Sequence, residues 1–116
     1  MNFNDYQKKA FKTAQYPLKN EGNIIYTSMG LAGESGECLD KIKKYWRNSG
    51  FDYLHTEDLS NGQKEAICLE LGDVLWYIAA FATELGISLD DVAYINLNKL
   101  KDRKERDVIK SEGDNR

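Results

Sequence analysis

Apolar residues recur along this chain at the spacing of an α-helix, and the pattern divides it into four helices. The first is expected from Asn4 to Gln15, with Phe3, Tyr6, Ala10, Phe11 and Ala14 on one stripe. Asn4 or Asp5 is suited to cap its start, and Pro17 with Asn20-Glu21-Gly22-Asn23 is expected to end it. The second is expected from Ile24 to Trp46. It contains Gly30, Gly33 and Gly36, each costing helix stability by about 1 kcal/mol relative to alanine, so they point to close approach of another backbone or a ligand. A loop ending near Gly33 is the alternative; one continuous or slightly kinked helix is the reading adopted. Between Arg47 and Gly62 the pattern lapses, and Asn48, Ser49, Gly50, Asn61 and Gly62 mark a long loop. His55 lies there, and a lone loop histidine is more often solvated than catalytic.

The third helix is expected from Gln63 to Leu85. Ile67, Leu71, Val74, Leu75, Ile78, Ala82 and Leu85 keep helical period, while Trp76, Tyr77, Ala79, Ala80 and Phe81 add apolar surface outside that stripe. A helix apolar nearly all round is normally buried on every side. A chain this short cannot easily cover it, so a partner subunit is expected to, giving a homodimer or homotetramer. Gly86 supplies a C-cap. The fourth helix starts after Ser88, which with Asp91 resembles a capping box, and runs to about Val108 with Leu89, Val92, Ile95 and Leu100 as its core face. The expected fold class is therefore all-α, a four-helix bundle of paired helical hairpins completed by oligomerisation. Residues 1–109 are expected to form one helical domain, and 110–116 are expected to be a polar, flexible tail. The two acidic motifs described below are similar enough to raise an ancient hairpin duplication.

Composition narrows the function. The 116 residues suit a single domain, and 30% charged with 41% hydrophobic residues is ordinary for a soluble globular protein. The net charge of −3 argues against a broad nucleic-acid-binding surface, so no stable nucleic-acid partner is expected. Cys38 and Cys68 lack paired zinc-type spacing and read as reduced, half-buried thiols of a cytosolic protein. The opening Met1-Asn2-Phe3-Asn4-Asp5 is not laid out as a signal peptide. The longest apolar run, Val74 to Ala82, is too short to cross a bilayer. A cytoplasmic protein without a membrane partner is the expectation.

Chemistry concentrates in two motifs, Glu34-Ser-Gly-Glu37 and Glu70-Leu-Gly-Asp73. Three-residue spacing puts each carboxylate pair on one helix face. One such pair alone is common on solvated helices. Here, however, Glu70 and Asp73 sit in the most apolar stretch of the chain, where an unpaired carboxylate is costly. Two pairs on neighbouring helices would gather four anions that repel unless a divalent cation lies between them. A histidine-free, all-oxygen set suits Mg²⁺, with Mn²⁺ as a substitute, rather than zinc, and a di-iron bundle would need a Glu-x-x-His pair that is absent. Asn96, Lys99 and Arg103 share a face of the fourth helix, where lysine and arginine suit phosphate oxygens and asparagine can bond phosphate, ribose or base. The competing reading makes Lys101, Arg103, Lys104 and Arg106 an ordinary solvated helix end. Lys41 and Lys44, beyond Glu37, can add positive charge to a phosphate site. Trp46 and Trp76 could stack on a base, although Trp76 reads more naturally as core.

Taken together, Gly30-Leu-Ala-Gly-Glu-Ser-Gly-Glu37 with Lys41 to Lys44, Glu70-Leu-Gly-Asp-Val-Leu-Trp-Tyr77, and Asn96-Leu-Asn-Lys-Leu-Lys-Asp-Arg103 resemble the MazG-like proteins of the all-α NTP pyrophosphohydrolase superfamily. Tyr6-Gln7, Thr13, Tyr16 and the tail Gly113-Asp-Asn-Arg116 fit the same likeness, which covers nearly the whole chain. The resemblance implies facing acidic motifs that bind Mg²⁺ and hydrolysis of a nucleoside triphosphate to the monophosphate and pyrophosphate. It implies Glu34, Glu37, Glu70 and Asp73 as metal ligands, and Asn96, Lys99 and Arg103 as substrate contacts. Glu34 and Glu37 are the favoured candidates for the proton-accepting catalytic carboxylate, because Ser35 and Gly36 leave room around them. The Arg47–Gly62 loop makes the stretch between the motifs longer than is common in that family, which leaves substrate choice open. A phosphoribosyl-ATP or dUTP/dCTP-specific hydrolase is a neighbouring enzyme reading. A non-catalytic helical nucleotide-binding or interaction module is the alternative of another class.

Overall fold

A computed structural model describes residues 1–106, and within them the chain is helical, without strands. The elements are α1 (Phe3–Phe11), α2 (Ile24–Asn48), a 3-10 turn (Thr56–Asp58), α3 (Asn61–Glu84) and α4 (Leu89–Glu105). The 109/110 boundary, the expected extension of the fourth helix to Val108 and the polar tail lie outside the described residues. α2 is a single continuous helix through Gly30, Gly33 and Gly36, two residues longer than the expected end at Trp46.

Short-range chemistry sets most helix ends. Asn23 caps α2 by accepting from the Tyr26 N–H at 3.1 Å. Ser60 and Gln63 form a reciprocal capping box at α3, with bonds of 2.9 and 3.1 Å, so α3 begins two residues before the expected Gln63. Gly86, at φ 71°, ends α3 in the left-handed region, with Ile87 N–H returning to the Ala82 carbonyl at 2.9 Å. Ser88 Oγ accepts from the Asp91 N–H at 3.0 Å, the half of the expected capping box that forms among the described residues.

α1 departs from expectation at both ends, each time through a tertiary contact. Its cap is Asn2, whose Oδ1 accepts from the Asp5 N–H at 2.8 Å. Asn4 instead turns its Oδ1 to the Asp90 N–H at the start of α4, 3.1 Å away. The helix stops at Phe11 rather than Gln15, because the Ala10 carbonyl accepts from Thr13 Oγ1 and from Trp76 Nε1. Trp76 also donates to Thr13 Oγ1 at 2.8 Å, so this tryptophan is a half-buried strut rather than a fully enclosed core residue.

α2 and α3 form the long antiparallel hairpin, and α1 and α4 pack against α3 and against each other. The C-terminal half of α3 is the hub, where buried Ala79, Ala80 and Ala82 let the other helices approach closely. Gln7 ties three segments there: Nε2 donates to Thr83 Oγ1 and the Ile87 carbonyl, and Oε1 accepts from the Leu89 N–H at 2.8 Å. The far half of the hairpin is uncovered. Leu39 and Leu69 are 69% exposed and Leu71 is 54% exposed, so the expected Ile67–Leu85 stripe is only partly enclosed. On α4, Val92 and Ile95 of the expected core face are exposed, and the buried residues are Leu89 and Arg103. By length and composition α3 is also apolar enough to cross a membrane, with mean hydropathy 1.5 in its best stretch. It carries Glu70, Asp73 and a buried Glu84 and contacts the other three helices, while only 17% of that stretch is buried.

Candidate metal centre

Midway along the hairpin, α2 offers Glu34 and α3 offers Glu70 and Asp73, and one oxygen from each lies within 4.8 Å of the others. The three-residue step between Glu70 and Asp73 is what puts both on the face of α3 that meets α2. Glu34 is the most constrained of the three. Its Oε2 is buried and accepts no hydrogen bond, an expensive state for a carboxylate oxygen in the absence of a compensating charge. Burial pushes the Glu34 pKa up, and the charges of Glu37, Asp73 and Glu70 push it further. A buried acceptor without a donor, beside two more carboxylates, fits an oxygen-coordinated divalent cation of the Mg²⁺ or Mn²⁺ type.

Glu37 stands one turn beyond Glu34, outside the three-oxygen group but close enough to raise the Glu34 pKa. It lines an open polar cavity of about 370 Å³ with Asp40, Lys41, Lys44 and Glu70. Lys41 Nζ bridges to Glu70 Oε1 at 3.2 Å. Lys44 pairs with Asp40 at 2.7 Å and Lys43 with the same carboxylate at 2.9 Å, and these lysines hold the Asp40 pKa down at about 2.

Aromatic rings wall the opposite side. The Tyr77 ring presses on α2 where Gly30 leaves no side chain, and a Cβ there would overlap the ring. What approaches Gly30 is this side-chain ring rather than the backbone or ligand expected of the glycines, and Gly33 and Gly36 face open space. Burial raises the Tyr77 pKa, as do the Tyr26 phenol and the Glu34 and Asp73 charges. The Tyr6 pKa on α1 is raised by burial and by the Asp73 charge. Tyr16 stacks on Tyr26 with centroids 4.9 Å apart, and Trp76 meets Tyr77 edge-on at the same separation.

The α4 residues stand apart from α2. Asn96 and Lys99 are exposed, while Arg103 is only 4% exposed, contrary to its reading as part of a solvated helix end. α4 contacts α1 and α3 and, among the described residues, reaches α2 only across an apolar groove bordered by Leu31 and Val92. Cys38 is half-buried as expected, but Cys68 is exposed. His55 is exposed and edges the Tyr53 ring at 4.4 Å, and Trp46, 42% exposed, packs edge-on against Phe51. Sequence reasoning gave no role to Glu84 or Tyr26. A glutamate at a helix end and a tyrosine in a first turn carry no local signal, and only their tertiary partners distinguish them.

The fold and this site define a helical-hairpin protein with a cluster of three carboxylates that could hold a metal ion. Residues 25–108 match the MazG nucleotide pyrophosphohydrolase domain, and the chain belongs to that family. It is also 41% identical over 120 residues to the Gene 37 protein of Mycobacterium phage L5, a match that spans the full length of both chains. No solved structure matches it.

Proposed function

We propose that this protein is a Mg²⁺-dependent nucleoside triphosphate pyrophosphohydrolase that converts a (d)NTP to the (d)NMP and pyrophosphate. The observation that carries this reading is the convergence of Glu34, Glu70 and Asp73 around the donorless Glu34 Oε2. On this reading these three residues hold the cation, with Glu37 completing the acidic set from the cavity side. When bound, Mg²⁺ supplies charge neutralisation on phosphate oxygens and a water of lowered pKa. Glu37, outside the three-oxygen group, is the better placed of the two candidate catalytic carboxylates to accept a proton, with Glu34 serving the cation. Lys41 borders the polar cavity and contributes charge toward the triphosphate, with Lys44 beside it. Asn96 and Lys99, both exposed, contact the remainder of the substrate from their own or a neighbouring copy's α4, whereas Arg103 is buried in the single chain and does not reach it.

A second copy of this chain is the partner we propose for the uncovered apolar surface, since Leu39, Leu69 and Leu71 on the hairpin and Tyr94, Ile95 and Leu97 on α4 are each more than half exposed. We place the enzyme in the cytoplasm, where its substrates and Mg²⁺ are abundant. The test is a pyrophosphate-release screen with Mg²⁺ across the common and damaged nucleoside triphosphates. Release from at least one nucleotide, abolished in Asp73→Asn at unchanged helical CD, supports the reading. Full turnover in that variant, or Mg²⁺-dependent nucleotide binding without turnover of any nucleotide, refutes it. Light scattering that gives a monomer at micromolar concentration refutes the self-association.

A further inference from the structure

Glu84 is a buried carboxylate, 9% exposed, to which the reading above gives no role. It ends α3 and faces the loop over residues 12–23. Its Oε2 accepts from the Tyr16 hydroxyl at 2.5 Å and the Asn20 N–H at 2.9 Å, and its Oε1 accepts from the Gly22 and Asn23 N–H groups at 2.9 and 3.0 Å. Burial pulls its pKa up, but these donors outweigh burial and leave it below the ordinary carboxylate value, so the group is a fully bonded anion.

The loop it grips is strained. Leu18, Asn20 and Gly22 have φ of 58°, 64° and 77°. Asparagine and glycine tolerate that region, but leucine does so only where surrounding bonds over-determine the backbone. The last residue gripped, Asn23, is also the cap of α2. Glu84 therefore joins the final turn of one long helix to the first turn of the other.

That joint is in step with the acidic group. From Asn23, seven residues along α2 lead to Gly30, and seven back along α3 from Glu84 lead to its contact Tyr77; four more on each helix lead to Glu34 and Asp73. Three cross-helix contacts thus share one antiparallel register. Sliding α2 by one residue moves Glu34 by about 1.5 Å, whereas an oxygen-ligand site tolerates about 0.2 Å.

We infer that Glu84 is a positioning residue: by clamping the loop and the cap of α2, it sets the axial register of α2 against α3 and so the placement of Glu34 relative to Glu70 and Asp73. This rests on the metal reading proposed above. A glutamine at position 84 presents an amide N–H₂ to one of the two donor pairs and loses those bonds.

The test is Mn²⁺ titration of the wild type, Glu84→Gln and Tyr16→Phe, read by the EPR signal of free Mn²⁺ at a temperature where circular dichroism reports full helicity. Glu84→Gln is expected to weaken Mn²⁺ binding about tenfold, the scale of losing a partner that orients a ligand. Tyr16→Phe, which keeps the ring and the three backbone bonds, is expected to weaken it in the same direction but less. A folded Glu84→Gln that melts earlier yet binds Mn²⁺ like the wild type overturns the inference, since Gly30 and Tyr77 then suffice to hold the register. If Glu84→Gln does not fold, Tyr16→Phe decides, and unchanged binding overturns the inference. A wild type that fails to bind Mn²⁺ refutes the metal centre itself, a result distinct from equal binding by wild type and variants.

Discussion

Replacing Glu34 by glutamine separates the electrostatic strain of the acidic group from its use. The three carboxylate oxygens lie within 4.8 Å of one another. Two unit charges at that distance repel by about 3.5 kcal/mol at an effective dielectric of 20. Partial solvent exposure, salt and the Lys41 counter-charge on Glu70 reduce what reaches the folding equilibrium to about 1 kcal/mol. Without divalent cation, Glu34→Gln should therefore melt about 4 °C higher than the wild type. With Mg²⁺ the order should reverse. A cation at one hundred times its Kd stabilises the wild type by about 2.7 kcal/mol, roughly 10 °C, and the variant gains little. The assay is a thermal melt with EDTA and again with saturating Mg²⁺, run beside pyrophosphate release. Crossing of the two pairs of melting points, with loss of turnover in the variant, is the expected result. A variant that melts lower than the wild type in EDTA, or that keeps the Mg²⁺-induced rise, refutes the assignment of Glu34 as a ligand in a mutually repelling group.

Glu37→Gln should retain most Mn²⁺ affinity while losing at least about 10²-fold in pyrophosphate release, the contribution expected of a proton acceptor; equal loss of both quantities would make Glu37 a ligand instead. Gly30→Ala should destabilise the fold by about 1–3 kcal/mol in chemical denaturation, because the new methyl overlaps the Tyr77 ring. Gly36→Ala, facing open space, should stabilise α2 by up to about 1 kcal/mol; a destabilised or dissociated Gly36→Ala would show that a second copy covers that face. The pH dependence of the metal-free melt has two signs. Glu34 binds its proton more tightly folded than unfolded, so its contribution falls as pH rises from 4.5 through its folded pKa, and Glu34→Gln should flatten that fall. Glu84 has the opposite shift, so its contribution is present above 4.5 and is lost as pH falls through its lower folded pKa.

The long hairpin and its carboxylates are legible in the sequence because both depend on short-range spacing. Asn23 and Gly86 punctuate the helices locally, and a three-residue step orients Glu70 and Asp73 whatever lies opposite. What escapes such reading depends on distant partners. Trp76 captures the Ala10 carbonyl and cuts α1 short of Pro17. Asn4 is diverted to Asp90, leaving the cap to Asn2. Arg103 has the composition of a solvated helix end yet is buried where α4 packs, and Glu84 resembles any terminal glutamate until the loop over residues 12–23 folds across it.

The ammonium of Lys41 on Glu70 has a consequence for the order of events. Within the mechanism proposed here, Glu70 would give up its Lys41 partner in order to help hold a divalent cation. The Lys41 side chain, long and freely rotating, would then stand at the edge of the cavity that would receive the phosphates. Loading the ion and attracting the polyanion are then successive moves of one charge, so nucleotide affinity should climb with Mg²⁺ concentration more steeply in the wild type than in Lys41→Met.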